Sequence, residues 1–331
     1  MRGSLCKQCA RLRALASHCG TARRLRAAGS DIVRFEVTSR RFCAAAASIA
    51  LACGVQVTSA RSQGQRPLLV SFAPATLHPG DVARVDVGGV NGRERITGSV
   101  LGQDLAFHYD ERQQTWRALV GVDLDTKAGA YQLRIGRDAG AAVATRTLRV
   151  VPKQFRVRRL SVPGGFVDPP PEALAQIARD SASLTEAYAR VTPRQWSGHF
   201  VLPVDGRPTS NFGTRSYYNG QRRSPHAGVD FVGEPGTPVR AANHGRVVVA
   251  ASMYFTGNTI VIDYGDRLFS VFAHLSELRA KVGDTVEPAT IVGLVGATGR
   301  VTGPHLHWSV RLNGARVDPL SLVAATADAE R

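Results

Sequence analysis

His305-Leu306-His307 opens a run that extends to Leu312. Read as a β-strand, this run places residues i and i+2 on one face, so the two imidazoles point the same way. Working outward, short β-runs precede it at residues 246–250, 258–264, 268–274 and 290–295. Gly265-Asp266 marks a turn between two of them, and Asn313-Gly314 gives a hairpin signal after the last. Glycine at the bends completes the pattern of a compact antiparallel β domain over residues 196–323. His226-Ala227-Gly228-Val229-Asp230 enters this segment and His274 closes one of its runs. Two imidazoles and one carboxylate suffice for a catalytic divalent metal with an open coordination position. Further histidines beside such a metal serve as acid–base or charge-stabilising groups. Gly228 is expected to give a tight turn that lets His226 and Asp230 converge.

Ahead of this segment, residues 67–152 read as a small β-sandwich. Val82-Ala83-Arg84-Val85-Asp86-Val87, Tyr131-Gln132-Leu133-Arg134-Ile135 and Leu148-Arg149-Val150 have strand character. Pro79-Gly80, Asn91-Gly92 and Lys127-Ala128-Gly129 supply turns between them. Residues 153–195 read as a connector and one helix. The connector is basic and ends in Asp168-Pro169-Pro170-Pro171, a composition that predicts a stiff, extended spacer. Leu174, Ile177, Leu184 and Tyr188 then fall at helical spacing between Glu172 and Val191, with Pro171 and Glu172 suited to a helix start. The fold class expected is mainly β: a front sandwich, a Pro-rich connector with one helix, and a C-terminal antiparallel β domain.

Residues 1–60 read as a leader. Arg40-Arg41, the apolar stretch from Phe42 to Val57 and Thr58-Ser59-Ala60 are the basic flank, short core and small residues of a secretory signal. The forty Arg-rich residues before it suggest a start assigned too far upstream, with initiation near Val33 or Val37. All five cysteines lie at or before Cys53, so the remaining chain has neither disulfides nor thiolate ligands, which suits an oxidising bacterial compartment. The formal charge is +16, and residues 1–60 hold ten Lys/Arg against two Asp/Glu. A basic exported protein suits an anionic polymer, with transient membrane association through the leader. Nucleic acid is not expected as a partner, since zinc-finger spacing and aromatic-basic interleaving are missing.

The order of motifs in the last segment resembles one family. His226-x-Gly228-x-Asp230, Gly236-Thr237-Pro238-Val239 with Ala241, Gly257-Asn258, Ala273-His274-Leu275-Ser276, and Thr298-Gly299 through Thr302-Gly303-Pro304-His305-Leu306-His307 follow one another over residues 200–320. This is similar to the M23 zinc metallopeptidases, the lysostaphin-like or LytM-type peptidoglycan endopeptidases. The resemblance implies that His226, Asp230 and His307 bind one zinc ion, while His274 and His305 flank the open position and handle protons. It implies a metal-activated water that hydrolyses peptide cross-links, with peptidoglycan stem peptides as substrate and the periplasm or envelope of a Gram-negative bacterium as location. Phe272 stands where the family frequently has Tyr, and Ala289-Thr290 replace a frequent Gly followed by Gln or Glu.

Two other readings use the same residues. LytM-like domains that have lost ligands act as non-enzymatic activators of other wall hydrolases. A trio of two histidines and a carboxylate also describes non-haem iron oxygenases, which the leader and the surplus histidines disfavour. His78, His108, His199 and His244 lack partners at metal spacing and read as surface or core residues. Asn211-Phe212-Gly213 and Asn219-Gly220 resemble family positions near the cleft mouth, and for Asn219 or Arg215 substrate contact competes with loop structure.

Overall fold

Alternating apolar residues build the first half of the chain. The computed structural model describes residues 67–137, 142–161, 168–209 and 212–327; the leader read over residues 1–60 and Asn211 lie outside the described residues. The first nine strands are β1 (Leu69–Ala73), β2 (Thr76–Leu77), β3 (Val82–Gly88), β4 (Ile96–Val100), β5 (Gln103–Asp104), β6 (His108–Asp110), β7 (Thr115–Gly121), β8 (Gly129–Arg137) and β9 (Ala142–Val150). They form a four-stranded sheet in the order β1-β3-β7-β6 and a five-stranded sheet in the order β2-β9-β8-β4-β5. Ala83, Val85, Val87 and Val120 from one sheet bury against Leu133, Ile135, Leu148 and Val150 from the other. This is the sandwich that strict alternation produces, with one face of each sheet dry.

The connector is extended at Pro170, and part of it also pairs as a strand. Val157–Leu160 forms β10, which pairs in parallel with β11 (Arg215–Tyr218), itself paired with β12 (Gln221–Arg222). The Arg215 N–H donates to the Arg156 carbonyl at 2.8 Å and the Asn219 N–H to the Leu160 carbonyl at 2.9 Å. The connector thus satisfies backbone groups that β11 would otherwise present as an open edge. Pro171–Ala173 makes one 3₁₀ turn, and α1 (Leu174–Ala189) follows.

The remaining elements are β13 (Gly228–Val232), β14 (Pro238–Arg240), β15 (Gly245–Met253), β16 (Gly257–Asp263), β17 (Leu268–Leu278), β18 (Thr285–Val286), β19 (Ile291–Val295), β20 (His305–Leu312), β21 (Ala315–Val317) and α2 (Pro319–Ala327). The nine strands form one antiparallel sheet with the path β13-β20-β17-β16-β15-β18; β19 pairs with β14 and β17, and β21 with β20. Strand β20 decides the layering. Leu306, Trp308, Val310 and Leu312 are buried on one face, with Phe272 stacked parallel to Trp308 at 6.5 Å. His305, His307, Ser309 and Arg311 alternate onto the other. Asn313 and Gly314 both adopt positive φ, as a two-residue type I′ hairpin between β20 and β21 requires.

Helix α1 lies on the same sheet face as His305 and His307. Register pairs Ala273 with His307, Val271 with Ser309 and Phe269 with Arg311. Ala187, Leu184 and Tyr188 of the helix pack on Phe269, Val271, Val248 and Val261, covering the end of that face away from the two histidines. On the opposite face Val82 and Leu124, from the sandwich half, join the core of the large sheet. The Val82 N–H donates to Ser321 Oγ at 2.8 Å and the Asp318 N–H to the Gly80 carbonyl at 2.7 Å. Arg316 binds Asp123 at 2.7 Å and Asp125 at 2.9 Å. Among the described residues no helix is long and apolar enough to cross a membrane.

Candidate metal centre

Strand pairing brings the five side chains of interest together. Asp230 on β13 sits directly opposite His307 on β20, and Val232 opposite His305. His226 lies two residues ahead of β13, on whose face Gly228 and Asp230 alternate. His226 Nε2, Asp230 Oδ1 and His307 Nδ1 form a nearly equilateral triangle: 3.0 Å between the two nitrogens, 3.1 Å from His226 to Asp230 and 3.0 Å from His307 to Asp230. These three are the group of donors among the described residues that converges closely enough for a metal ion.

Gly228 works differently from the turn expected of it. It is an extended strand residue paired with Ser309. A Cβ here would come within 2.5 Å of the Trp308 carbonyl oxygen, 2.7 Å of His307 Cε1 and 2.8 Å of His307 Nε2. Glycine here leaves room for the His307 ring, whose Nδ1 lies 3.0 Å from both His226 Nε2 and Asp230 Oδ1.

His274 reaches the site through a β-bulge. The β16–β17 register shifts between Asn258 and Ile260, and His274 has φ +65. Left-handed backbone costs a non-glycine residue about 1–2 kcal/mol, and such residues gather at functional sites. The His274 N–H donates to the Thr256 carbonyl at 2.8 Å, which holds the bulge. The Nδ1–H of His274 donates to the Thr298 carbonyl at 3.0 Å, and that of His305 to the Gly303 carbonyl at 2.8 Å. A carbonyl only accepts, so each contact fixes the proton on Nδ1 and leaves Nε2 as the ring's lone-pair nitrogen. His305 Nε2 lies 3.9 Å from Asp230 Oδ1, and the His274 ring is 4.8 Å from that of His305 and 6.0 Å from that of His307.

Burial disfavours the protonated forms of His274 and His307 beside the ionised Asp230. Burial disfavours the ionised form of Asp230, but the contacts with His226 and His307 outweigh it and hold the carboxyl well below the usual carboxylate range. Burial lowers the His307 pKa more than the bond to Asp230 raises it. His274 is pushed down to about 4, first by burial and then by the neighbouring His307, against the Thr298 carbonyl.

Three lone-pair atoms facing one another at 3.0–3.1 Å are a fit test for a cation. Tetrahedral zinc with bonds of ~2.0–2.1 Å sets its donors roughly 3.3–3.4 Å apart, so the triangle needs to open by only a few tenths of an ångström. Two nitrogens and one oxygen also match the donor types of catalytic zinc.

The other histidines are elsewhere. His78 pairs with Asp81 at 3.1 Å. His108 pairs with Asp266 between the sandwich and the β16–β17 turn, a partner 158 residues away that sequence spacing does not reveal. His244 follows the buried Asn243, and its backbone N–H donates to the Asn243 side-chain oxygen at 2.7 Å. Arg215 binds Asp125 at 3.1 Å, and Asn219-Gly220, both at positive φ, make the β11–β12 turn. Thr298, part of the motif Thr298-Gly299, has a supporting role that its spacing alone does not reveal. Its hydroxyl donates to the Leu275 carbonyl at 2.7 Å and accepts the Asn258 N–H at 2.9 Å, so it anchors the carbonyl that orients His274. Gly257, with φ +61, is the signal that was present: a Cβ there would lie 2.3 Å from Thr298 Oγ1.

Comparison with known proteins finds similarity over the segment that holds these residues. Residues 224–319 match the Peptidase family M23 profile. The peptidoglycan DD-endopeptidase ShyA of Vibrio cholerae is 39% identical over 121 residues, 36% of this chain and 28% of that protein. The DD-carboxypeptidase/endopeptidase Mpg of Neisseria meningitidis is 35% identical over 122 residues, 37% of this chain and 28% of its own length. The match thus spans little more than a quarter of these curated relatives. A solved peptidase M23 structure from Pseudomonas aeruginosa is 35% identical, with a TM-score of 0.60 over 75% of this chain and 95% of the other. That match is too long to be confined to residues 224–319, and it runs through nearly the whole of the other structure. On that breadth of agreement, this chain belongs to peptidase family M23.

Proposed function

We propose that the chain is an exported, zinc-dependent endopeptidase that hydrolyses peptide cross-links of peptidoglycan in a Gram-negative envelope. One observation carries the reading: three metal-type donors converge at 3.0–3.1 Å while two more imidazoles present Nε2 beside them. His226, Asp230 and His307 would hold the ion. Zinc, when bound there, polarises a peptide carbonyl and makes water more acidic. The protein supplies the rest. Asp230 stays ionised at neutral pH and balances part of the ion's charge. His274 and His305, each with Nδ1–H tied to a backbone carbonyl, offer Nε2 to take a proton from water and return it to the departing amine. Their fixed rings need no reorientation between the two transfers.

The names of the matched relatives support peptidoglycan as substrate, and the basic, signal-like leader supports export. Since the complete donor set is retained, no observation favours the activator reading. The experiment is digestion of purified sacculi with mass analysis of the products, with and without chelator. Wild type should release uncross-linked muropeptides and contain one zinc per chain. His307→Ala should lose both. Chelator-resistant hydrolysis, or hydrolysis by His307→Ala, refutes the proposal.

A further inference from the structure

Helix α1 carries a carboxylate where packing calls for an apolar side chain. Ala173, Ile177, Leu184 and Ala187 fall at helical spacing, and Ala173 and Ala187 are buried. They make the inward stripe of an amphipathic helix. Asp180 stands on the same stripe, between Ile177 and Leu184, and is half-buried. Taking a carboxylate partly out of water is unfavourable unless a donor meets it. The donor is the backbone N–H of Tyr254, which reaches Asp180 Oδ2 at 2.8 Å across 74 positions of sequence. Hydrogen bonds to an ionised acceptor are among the stronger ones.

Tyr254 opens the turn Tyr254-Phe255-Thr256, which joins β15 to β16. Both constraints on His274 lead back to this turn. The Thr256 carbonyl accepts the His274 N–H at 2.8 Å, at the residue whose φ is +65. The Phe255 carbonyl accepts the Arg300 N–H at 3.0 Å, which ties down the segment carrying Thr298. The Thr298 carbonyl then accepts the His274 ring proton at 3.0 Å. The carbonyls of the turn thus serve the site, while its first N–H is held by α1. The helix is a firm support. Tyr188 meets Phe269 edge-on at 5.6 Å, and Met253, the last residue of β15, is buried in the cluster that Leu184, Ala187 and Tyr188 share.

We propose that Asp180 is a positioning residue for hydrolysis: through the Tyr254–Thr256 turn it sets the place of the His274 imidazole, so that α1 supports catalysis and does not merely pack. The role in hydrolysis rests on the endopeptidase reading; the role in holding His274 does not. Asp180 acts through the turn, by its bond to the Tyr254 N–H and by that from the His274 N–H to the Thr256 carbonyl. A proton-transfer group is sensitive to such support, because a misplacement of ~1 Å can cost about 100-fold in rate. Removing the acceptor leaves the Tyr254 N–H unpaired, which loosens the turn rather than the helix.

The test uses the full zinc-loaded chain, a synthetic cross-linked tetrapeptide dimer, and amide hydrogen exchange at His274 read by NMR. Asp180→Leu removes the acceptor and completes the apolar stripe; Asp180→Ala removes it without added bulk. Each should lower kcat about 10–100-fold, with KM within about twofold and zinc content unchanged. Each should also speed exchange of the His274 amide about tenfold or more relative to the amides of β20. Asp180→Asn, which keeps a side-chain oxygen, should recover kcat to within about threefold of wild type. Leu184→Ala is the structural control. It weakens α1 packing and lowers Tm, yet should leave kcat and His274 exchange within about twofold of wild type. Asp180→Leu and Asp180→Ala variants that keep wild-type kcat, or a Leu184→Ala variant that loses as much as they do, overturn the assignment. So does a His274 amide that stays as protected as in wild type. If wild type leaves the dimer intact, the endopeptidase reading fails, and exchange at His274 alone decides whether Asp180 positions it.

Discussion

Replacing Gly228 by alanine tests the link between strand packing and metal binding. The added Cβ would sit 2.5 Å from the Trp308 carbonyl oxygen and 2.7–2.8 Å from two atoms of the His307 ring. Carbon–oxygen contacts between strands run at about 3.3–3.6 Å, so β13 and β20 must part by roughly 0.8–1.1 Å, or the ring must swing aside. Trp308 is fully buried and cannot retreat. Overpacking of this kind costs about 1–3 kcal/mol, a fall in Tm of roughly 3–10 °C. Either adjustment also moves His307 Nδ1 from its 3.0 Å contacts with His226 and Asp230, and misplacing a ligand's support typically lowers metal affinity 10–100-fold. The assay is zinc affinity by chelator competition, paired with thermal melts of apo and zinc-loaded protein. Gly303→Ala is the control, because a Cβ there meets nothing within 4 Å. If Gly228→Ala binds zinc as wild type does and melts within about 1 °C of it, close approach is not the reason for glycine at this position.

Three further outcomes follow from the geometry. His274→Gly and His274→Ala should both lose about 100-fold or more in peptide hydrolysis; at φ +65 the glycine variant should be the more stable by about 1–2 kcal/mol, read from denaturant unfolding. Arg316→Met should destabilise the protein by about 1–2 kcal/mol at pH 7, the effect being limited by partial exposure of Asp123 and Asp125. Burial raises the Asp123 pKa, but hydrogen bonds from Arg316 outweigh it, and Asp125 is lowered chiefly by the Arg316 side chain. A depressed carboxylate contributes stability above its unfolded pKa near ~4 and loses it as pH falls through the folded value. Unfolding curves of Arg316→Met and wild type should therefore converge between about pH 4 and pH 2; an undiminished difference at pH 2 argues against the ion pairs. Chelator treatment should lower the Tm of wild type and leave that of His307→Ala unchanged, as differential scanning calorimetry would report.

What could be read in the sequence was whatever local spacing encodes. The β-runs from 246 to 312, the Asn313-Gly314 hairpin and the helix beginning at Leu174 follow from alternation, turn chemistry and helical periodicity. The grouping of His226, Asp230, His274, His305 and His307 was legible because two pairs sit at i, i+2 and i, i+4 and the motifs follow one another in a family-like order. Partnerships between elements were not. Val157–Leu160 became a strand because β11 offers it an edge more than fifty residues later. Gly228 looked like a turn residue because its real constraint, the His307 ring, belongs to another strand. The His108–Asp266 neighbourhood is hidden for the same reason. Helix α2 had one local signal, Asp318-Pro319, with the Asp318 carboxylate accepting the Leu320 N–H at 3.0 Å; nine mostly apolar residues gave too weak a period to extend it.

The seating of Val82 and Leu124 among the side chains of the nine-stranded sheet bears on how such a protein can be taken apart. A truncation beginning at residue 196 would leave two holes in the hydrophobic interior, strip Arg316 of its counter-ions and unroof α2. Gene fusion or shuffling at this boundary therefore cannot exchange the front piece as one bead on a string for another. Any replacement must bring matching plugs for those holes, so the two halves are expected to evolve, and to melt, as one casting.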